Sequence, residues 1–147
     1  MASTDELDSF LIKMGLPYEQ VGEGTWVINP DSAGRRAPIG VTIEEPIVLF
    51  SIPMFELGTQ TNERERESLF RTLLELNAEL LHSSYALQGD QVVLSGAQQL
   101  ENLDFNEFQA MVDDMCIALD NHLERIAPWI GNRNGADKAA VAAEGST

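Results

Sequence analysis

The chain has 147 residues, 44% of them hydrophobic, and its formal net charge of −15 comes from 24 acidic and 9 basic side chains. This length and apolar fraction are typical of one folded domain with a real core, and they exclude a fully disordered chain. So acidic a chain repels nucleic acids and anionic lipids, and we expect neither as a partner.

The acidity is unevenly distributed along the chain. No Lys or Arg lies between Arg71 and Arg125, whereas ten Asp or Glu residues do. The excess of acid either keeps the outer faces solvated or steers a basic partner, and charge alone leaves both interpretations open.

The single cysteine, Cys116, excludes an intramolecular disulfide and a metal site built from several cysteines. The first six residues have neither the basic segment nor the apolar run of a signal peptide. The longest apolar stretch, Pro46 to Leu57, is interrupted by Ser51, Pro53 and Glu56 and is too short to span a bilayer as a helix. We therefore expect a cytoplasmic protein.

The first predicted element is a short amphipathic helix. Ser3 and Glu6 fit a capping box, in which each side chain accepts from a free backbone N–H at the helix start. Gly15 offers a left-handed stop and Pro17 prevents continuation. The apolar positions with the spacing of one buried helix face are Leu7, Phe10, Leu11 and Met14.

The next part of the chain predicts a three-stranded antiparallel meander. The first strand lies within Tyr18–Asn29 and is followed by a loop from Pro30 to Arg36, which is rich in turn-forming residues. Ile39–Glu44 alternates apolar and small or polar residues, as a half-buried strand does. Ile47–Ile52 is apolar on both faces and is placed in the centre of the sheet, and Pro53 limits where that strand can pair.

A second helix is predicted after a linker at residues 58–61. Asn62 with Glu65 offers another capping signal, and the helical pattern continues to about His82. Further on, Gly89-Asp90 suits a two-residue hairpin turn in which Gly takes a positive φ. The two strands that this turn joins are centred on Tyr85–Leu87 and Val92–Leu94.

The last helix is expected to begin at Asp104, with Glu107 three residues on, and to end at Pro128. Its apolar stripe comprises Phe105, Phe108, Val112, Met115, Leu119, Leu123 and Ile126. Residues 132–147 are rich in Ala and Gly and are expected to be disordered, so residues 1–131 form the domain. The predicted fold is α+β, in the order α-β-β-β-α-β-β-α, with one twisted antiparallel sheet packed by helices.

No catalytic, cofactor or metal site is predicted. Cys116 and His122 lie six residues apart on one helix, about 240° around its axis, so Cys116 is interpreted as an inert core thiol. Asp113-Asp114 is interpreted as a solvated face, and Glu44-Glu45 is at least as well explained by a turn. An enzyme or small-ligand carrier is kept as a competing hypothesis, with a pocket lined by Trp26, Phe50 and Tyr85.

The second helix carries more apolar surface than one contact with a sheet requires. Leu69, Leu73, Leu76 and Leu80 can pack on the sheet, which leaves Phe70, Leu74 and Leu81 to one side. Either this helix is buried all round in a monomer, or the second row forms a two-fold contact with another copy. Asn77 is expected to satisfy a nearby backbone group, or alternatively to fix register at such a contact. A partner strand could also add at Ile39–Glu45 or at the Val92–Leu94 edge.

Four segments, Met14–Tyr18, Leu73–Asn77, Val92–Leu94 and Phe105–Ile126, resemble the type III secretion chaperone-like superfamily. That superfamily includes the class I secretion chaperones, also called the Tir chaperone family, and the YbjN-like domains. The resemblance covers about Thr4 to Ile130. It implies a small, acidic, bacterial homodimer without enzymatic activity that binds an extended segment of a client protein.

The resemblance also implies contact residues, which are placed by element because the family has no invariant site to match. The residues expected to bind a client are Leu7, Phe10, Leu11, Val27 and Val41. The residues expected at the dimer interface are Phe70, Leu74, Asn77 and Leu81. The alternative within the superfamily is a YbjN-like regulator of stress, motility or sensory pathways that acts through protein contacts. The loop from Pro30 to Pro38 and the Ala-rich tail do not belong to the compact chaperone pattern.

Overall fold

The computed structural model describes residues 4–30, 37–58 and 62–143, with the side chains of residues 131–143 left out. The predicted cap at Ser3, most of the loop from Pro30 to Arg36, three residues of the linker at 58–61 and the last four residues lie outside the described residues.

The described residues form three helices and a six-stranded antiparallel sheet. In chain order the elements are α1 (Thr4–Met14), β1 (Tyr18–Gly22), β2 (Thr25–Ile28), β3 (Ile39–Glu44), β4 (Ile47–Glu56), α2 (Glu63–Asn77), β5 (Ser83–Gln88), β6 (Gln91–Gln99) and α3 (Phe105–Ala143). The spatial order of the strands is β1-β2-β3-β4-β6-β5. The predicted α+β class, with helices packed on one antiparallel sheet, is confirmed.

One face of the sheet is covered by apolar packing, because residues of the same face line up across its strands. Trp26, Val41, Phe50 and Gly96 are in register from β2 to β6, and the first three are fully buried. Gly96 permits a close approach: a Cβ there would lie 2.7 Å from the carbonyl oxygen of His82 and 3.1 Å from the Met111 side chain. The missing side chain therefore lets α3 pack down on β6.

Aromatic rings join α1 and α3 to the sheet. The ring centroid of Phe108 lies 5.4 Å from that of Phe50 on β4 and 5.6 Å from that of Phe10 on α1. The indole N–H of Trp26 donates a 2.8 Å hydrogen bond to Asp8 Oδ1, which ties α1 to β2. These contacts fix the N-terminal helix over the covered face, beside α3.

The two predicted helix caps that lie within the described residues, at Asn62 and Asp104, are both formed. Glu65 N donates to Asn62 Oδ1 at 2.8 Å, while Asn62 Nδ2 donates to the Glu65 carboxylate at 3.0 Å. At the start of α3, Glu107 N donates to Asp104 Oδ1 at 2.7 Å and Asp104 N donates to Glu107 Oε1 at 3.1 Å. The hairpin turn is also as predicted, since Gly89 has a φ of +61° between β5 and β6.

The segment Tyr18–Asn29 forms two strands, where the sequence predicted one. Gly24 takes a φ of +68°, and this left-handed turn folds the segment into the β1–β2 hairpin. The extra strand changes the edges of the sheet. The predictions of open edges at Ile39–Glu45 and Val92–Leu94 are therefore wrong, because β3 lies between β2 and β4, and β6 lies between β4 and β5.

Helix α2 ends at Asn77, five residues before the predicted end at His82. Its last turn tightens, with Ala78 N donating to Glu75 O and Glu79 N donating to Leu76 O. The Asn77 amide then bonds to β5: its Nδ2 donates to Tyr85 O at 3.2 Å, and Tyr85 N donates to its Oδ1 at 2.7 Å. The predicted structural role of Asn77 is confirmed by these two bonds.

Helix α3 contradicts two expectations. It continues past Pro128 to Ala143, because the fixed φ of proline fits a helix, at the cost of one hydrogen bond and crowding against the carbonyl of Glu124. Leu123, predicted on the buried stripe, is exposed, whereas its neighbour His122 is buried; Ile126 is buried as predicted. The predicted domain boundary at residue 132 stays a prediction.

We predict that Asn77→Ala destabilises the protein by about 1–3 kcal/mol, because two backbone groups of Tyr85 lose their partners in a part-buried site. Urea unfolding followed by circular dichroism measures the change. Asn106→Ala, at an exposed position in the first turn of α3, is the matched control and should leave the unfolding midpoint nearly unchanged. Equal midpoints for the Asn77→Ala variant and the wild type would contradict the bridging role.

Candidate protein-binding surfaces

The outer face of α2 is an open apolar strip between charged residues. Leu69, Leu73 and Leu76 point into the core, whereas Leu74 is 70% exposed and Phe70 is half-buried. We call this face the α2 surface; a shallow groove along it is lined by Glu63, Arg66, Glu67, Phe70, Arg71, Leu74 and Glu75. Nothing in the described part of the chain covers it, so the second apolar row is not core.

The α2 surface continues onto the edge strand β5. A second depression is lined by Phe70, Leu73, Leu74, Asn77, Tyr85, Ala86 and Leu87. Leu87 is itself exposed. An apolar strip therefore runs from the middle of α2 to the outer strand of the sheet.

A separate groove lies beyond the end of α2, between the turn to β5 and α3. Two exposed apolar side chains stand in it, Leu81 on the turn and Ile117 on α3, which are 90% and 56% exposed. We call it the turn groove; its lining residues are Glu79, Leu80, Leu81, His82, Ser83, Asp114, Ile117, Ala118, Asn121 and His122. Leu81 is thus not on the α2 surface with Phe70 and Leu74.

A buried polar cluster forms the floor between these two surfaces. His122 is only 4% exposed, and its Nδ1 lies 2.9 Å from the hydroxyl of Tyr85. Its Nε2 lies 3.3 Å from Glu79 Oε1. The other carboxylate oxygen of Glu79 accepts a 3.1 Å bond from Arg125 Nη1. The cluster therefore joins the turn after α2, β5 and α3.

The electrostatics of this cluster indicate a structural role. Burial raises the pKa of Tyr85 well above its usual value, and the nearby charge of Glu79 raises it further. A hydroxyl whose pKa is raised is a poorer proton donor, and both ring nitrogens of His122 already have partners. Tyr85 and His122 are therefore both held by partners within the fold.

The predicted client-binding residues separate into two groups. Leu7, Leu11 and Val41 are at most 1% exposed, so they belong to the core and have no surface open to a client. Phe10 is half-buried and packs on the rings of Phe105 and Phe108 of α3. Val27 is half-buried and is paired with Glu19 and Gly40, on the face of the sheet opposite to Trp26.

The residues predicted for a small-molecule pocket do not form one. Trp26 and Phe50 are fully buried core residues, and Tyr85 is engaged by His122. Across residues 4–30, 37–58 and 62–130, no group of three or more His, Cys, Asp or Glu side chains is arranged to hold a metal ion. None of the helices in the described part of the chain is both long and apolar enough to cross a membrane.

Sequence reasoning missed Ile117 and Leu87 as surface residues, and it missed the Tyr85–His122–Glu79 cluster. The exposure of Ile117 could have been predicted from the sequence, because Ile117 is an apolar residue outside the predicted buried stripe. It follows Asp113 and Asp114 by four and three residues, so it lies near them on the helix. The cluster could not have been predicted from the sequence. His122 is 37 residues from Tyr85, and only the tertiary fold brings it to Tyr85 and Glu79.

These features define a helix-covered antiparallel sheet with exposed apolar surfaces, which is the architecture of a protein-binding module. A family profile, CesT_Tir_1, matches residues 2–130. The chain therefore belongs to the CesT_Tir_1 family, a type III chaperone family. No curated protein matches it by sequence.

Solved structures share this fold at low sequence identity. YbjN from E. coli has a TM-score of 0.59 at 14% identity over 84% of this chain and 93% of its own. A chain of the heterodimeric ExoU–SpcU complex of the Pseudomonas aeruginosa type III secretion system has a TM-score of 0.57 at 16% identity, over 83% and 95%. A protein from Methanothermobacter thermautotrophicus has a TM-score of 0.60 at 11% identity, over 88% and 96%.

We predict that His122→Leu destabilises the fold by about 1–3 kcal/mol, because the buried hydroxyl of Tyr85 loses its partner. Adding Tyr85→Phe removes that stranded hydroxyl, so the double variant should lose less than the sum of the two single variants. A double-mutant cycle from urea unfolding should give a coupling energy of about 1 kcal/mol. Strict additivity would mean that the 2.9 Å contact contributes nothing to stability.

We also predict a loss of stability at alkaline pH that depends on Tyr85. Its pKa is raised in the fold, so between its ordinary value near 10 and the raised value the unfolded chain loses a proton that the folded protein keeps. Stability should fall as pH rises above about 10, by up to about 1.4 kcal/mol per pH unit. Tyr85→Phe should remove this component of the slope. Tyr18→Phe, at the opposite edge of the sheet, controls for the loss of a tyrosine hydroxyl as such.

Proposed function

We propose that this protein is a non-enzymatic, chaperone-like module that forms a homodimer and holds an extended segment of a client protein. The observation that carries the proposal is the α2 surface, on which Leu74 is 70% exposed beside a half-buried Phe70, in a chain of the CesT_Tir_1 family. Apolar side chains exposed together in this way mark a contact surface more often than they occur on a free monomer.

The α2 surface is suited to a second copy of the same chain. A two-fold contact places one patch against itself, so the patch must be complementary to itself in shape and charge. Phe70 and Leu74 supply the apolar centre. The flanking residues carry both charges, which are positive at Arg66 and Arg71 and negative at Glu63, Glu67 and Glu75.

The client segment is proposed to bind as an extended strand or peptide. Within the described residues, β1 is an edge strand with β2 on one side, and its residues from Glu19 to Gly22 are exposed. Edge strands accept added strands through their free backbone groups. One chain of the heterodimeric ExoU–SpcU complex shares this fold, which supports a protein as the ligand.

The second candidate function is that of a YbjN-like regulator acting through protein contacts. It is supported by the structural similarity to YbjN, a proposed transcription regulator. The charge of −15 is unsuited to direct contact with DNA, so such a regulator would act on another protein. A secretion apparatus and a secreted protein encoded beside this chain would favour the chaperone function, and their absence would favour the regulator.

We predict that Leu74→Asp converts a dimer into a soluble, folded monomer, because it places a charge in the apolar centre of the contact. Light scattering should then give a mass of 16.2 kDa, against twice that mass for the wild type. Ile12→Asp is the matched control, since Ile12 is 67% exposed on α1 and should leave the dimer intact. A monomeric wild type at tens of micromolar would contradict the proposed homodimer.

A further inference from the structure

The two exposed apolar surfaces differ in the sign of the charge around them. The α2 surface has arginines and glutamates side by side. The turn groove has no Lys or Arg among its lining residues, whereas Glu79 and Asp114 are on its rim. Asp113 is exposed one position away on α3, His82 contacts Asp114, and the guanidinium of Arg125 is held by Glu79 and Glu75.

This difference decides what can cover each surface. A second copy docked on the turn groove by two-fold symmetry would bring Asp113 and Asp114 towards their own counterparts, and like charges at an interface repel. The α2 surface has no such conflict, because each arginine can meet a glutamate of the other copy. The turn groove therefore needs an occupant of opposite charge.

The groove has an apolar centre as well as an acidic rim. Leu81 projects from the turn almost fully into solvent, and Ile117 faces the same groove from α3. The turn that carries Leu81 is held on α3 by two contacts, His82 Nε2 to Asp114 Oδ2 at 3.2 Å and His122 Nε2 to Glu79 Oε1 at 3.3 Å. Leu81 is thus presented from a supported position, as an anchoring contact requires.

We propose that the turn groove is the docking site for the client and that it selects a peptide segment with an apolar anchor flanked by Lys or Arg. The anchor packs between Leu81 and Ile117, and the basic side chains approach the carboxylates of Asp113 and Asp114. This inference rests on the proposed function, because it names the site and the chemistry of the client that the dimer holds. It places the apolar anchor of the client in the groove between the α2–β5 turn and α3, in addition to the strand contact proposed at the β1 edge.

The test uses two fluorescein-labelled synthetic peptides, one with alternating Leu and Lys and one with Glu in place of every Lys. Fluorescence anisotropy on the full chain should show binding of the basic peptide, weakened by added NaCl, and no binding of the acidic one. Ile117→Ser should lower the affinity for the basic peptide by roughly tenfold or more. Ile12→Ser, at a similarly exposed isoleucine outside the groove, should leave it unchanged.

The charge requirement is tested with a second matched pair of variants. Asp113→Asn with Asp114→Asn removes two charges beside the groove and should lower the affinity for the basic peptide severalfold. Glu44→Gln with Glu45→Gln removes two exposed charges at the turn between β3 and β4, outside the turn groove, and should have little effect. Equal losses in the two pairs would mean binding through net charge and would overturn the site.

The outcomes separate this inference from the proposed function. If the wild type is a dimer and Ile117→Ser binds the basic peptide like the wild type, the groove assignment fails while the homodimer stands. If the wild type is a monomer and the variants behave as expected, the homodimer fails and the groove stands. If Leu81→Ser or Ile117→Ser lowers the mass of the dimer by light scattering, the groove is a contact between copies and the inference is overturned.

Discussion

The amide of Asn77 is hydrogen-bonded to both backbone groups of Tyr85, and this pair of bonds determines the layout of the surfaces around it. The Asn77 side chain occupies the position at which another strand would pair with β5. Helix α2 ends at this residue, and the chain then turns into β5. Ser83 and Leu87 lie two positions from Tyr85, and their backbone groups therefore point to the same outer edge. The bridge closes the middle of that edge against an added strand and leaves the β1 edge more open.

The same bridge separates leucines that are close in sequence. Leu74 lies on α2, whereas Leu81 follows the turn and faces α3. Had the helix continued to His82, Leu74 and Leu81 would have been seven residues apart on one stripe, and a single surface would have resulted. The early end of α2 instead produces two surfaces, and the buried contact between Tyr85 and His122 fixes the distance between them.

The free energy gained by apolar burial and the free energy lost on association are of similar size for a contact through α2. Burying what remains exposed of Phe70, Leu74 and Leu87 in both copies contributes roughly 5–9 kcal/mol, about half of the 1.5–3 kcal/mol for each side chain that full burial would give. Association costs about 4–15 kcal/mol in lost freedom of motion, which is of the same size. The apolar residues alone therefore do not guarantee a dimer, and the pairing of Arg66 and Arg71 with glutamates of the other copy would contribute to the balance. A charge placed at Leu74 is enough to shift this balance from the dimer to the monomer.

What the sequence predicted well was set by local chemistry. The capping residues Asn62 and Asp104 and the turn glycine Gly89 act on neighbours within three residues, so their patterns could be interpreted without the fold. The end of α2 could not be predicted in this way, because Asn77 is bound by a strand eight residues later. The exposure of Leu123 and the burial of His122 depend likewise on where α3 lies against β5.

The candidate site was predicted only in part, because local patterns show which residues are apolar but not what covers them. A surplus of leucine was evident in the helical pattern, and Phe70 and Leu74 are indeed open to solvent. Leu7, Leu11 and Val41 were assigned to a client by resemblance, and amphipathic patterns cannot distinguish a face that covers a sheet from one that awaits a partner. Charge adds the missing distinction: a contact between copies needs both signs on one patch, whereas a patch of one sign requires a different molecule. In a chain with a net charge of −15, the mixed charges on α2 and the carboxylates of Asp113 and Asp114 near Ile117 therefore carry different information about their partners.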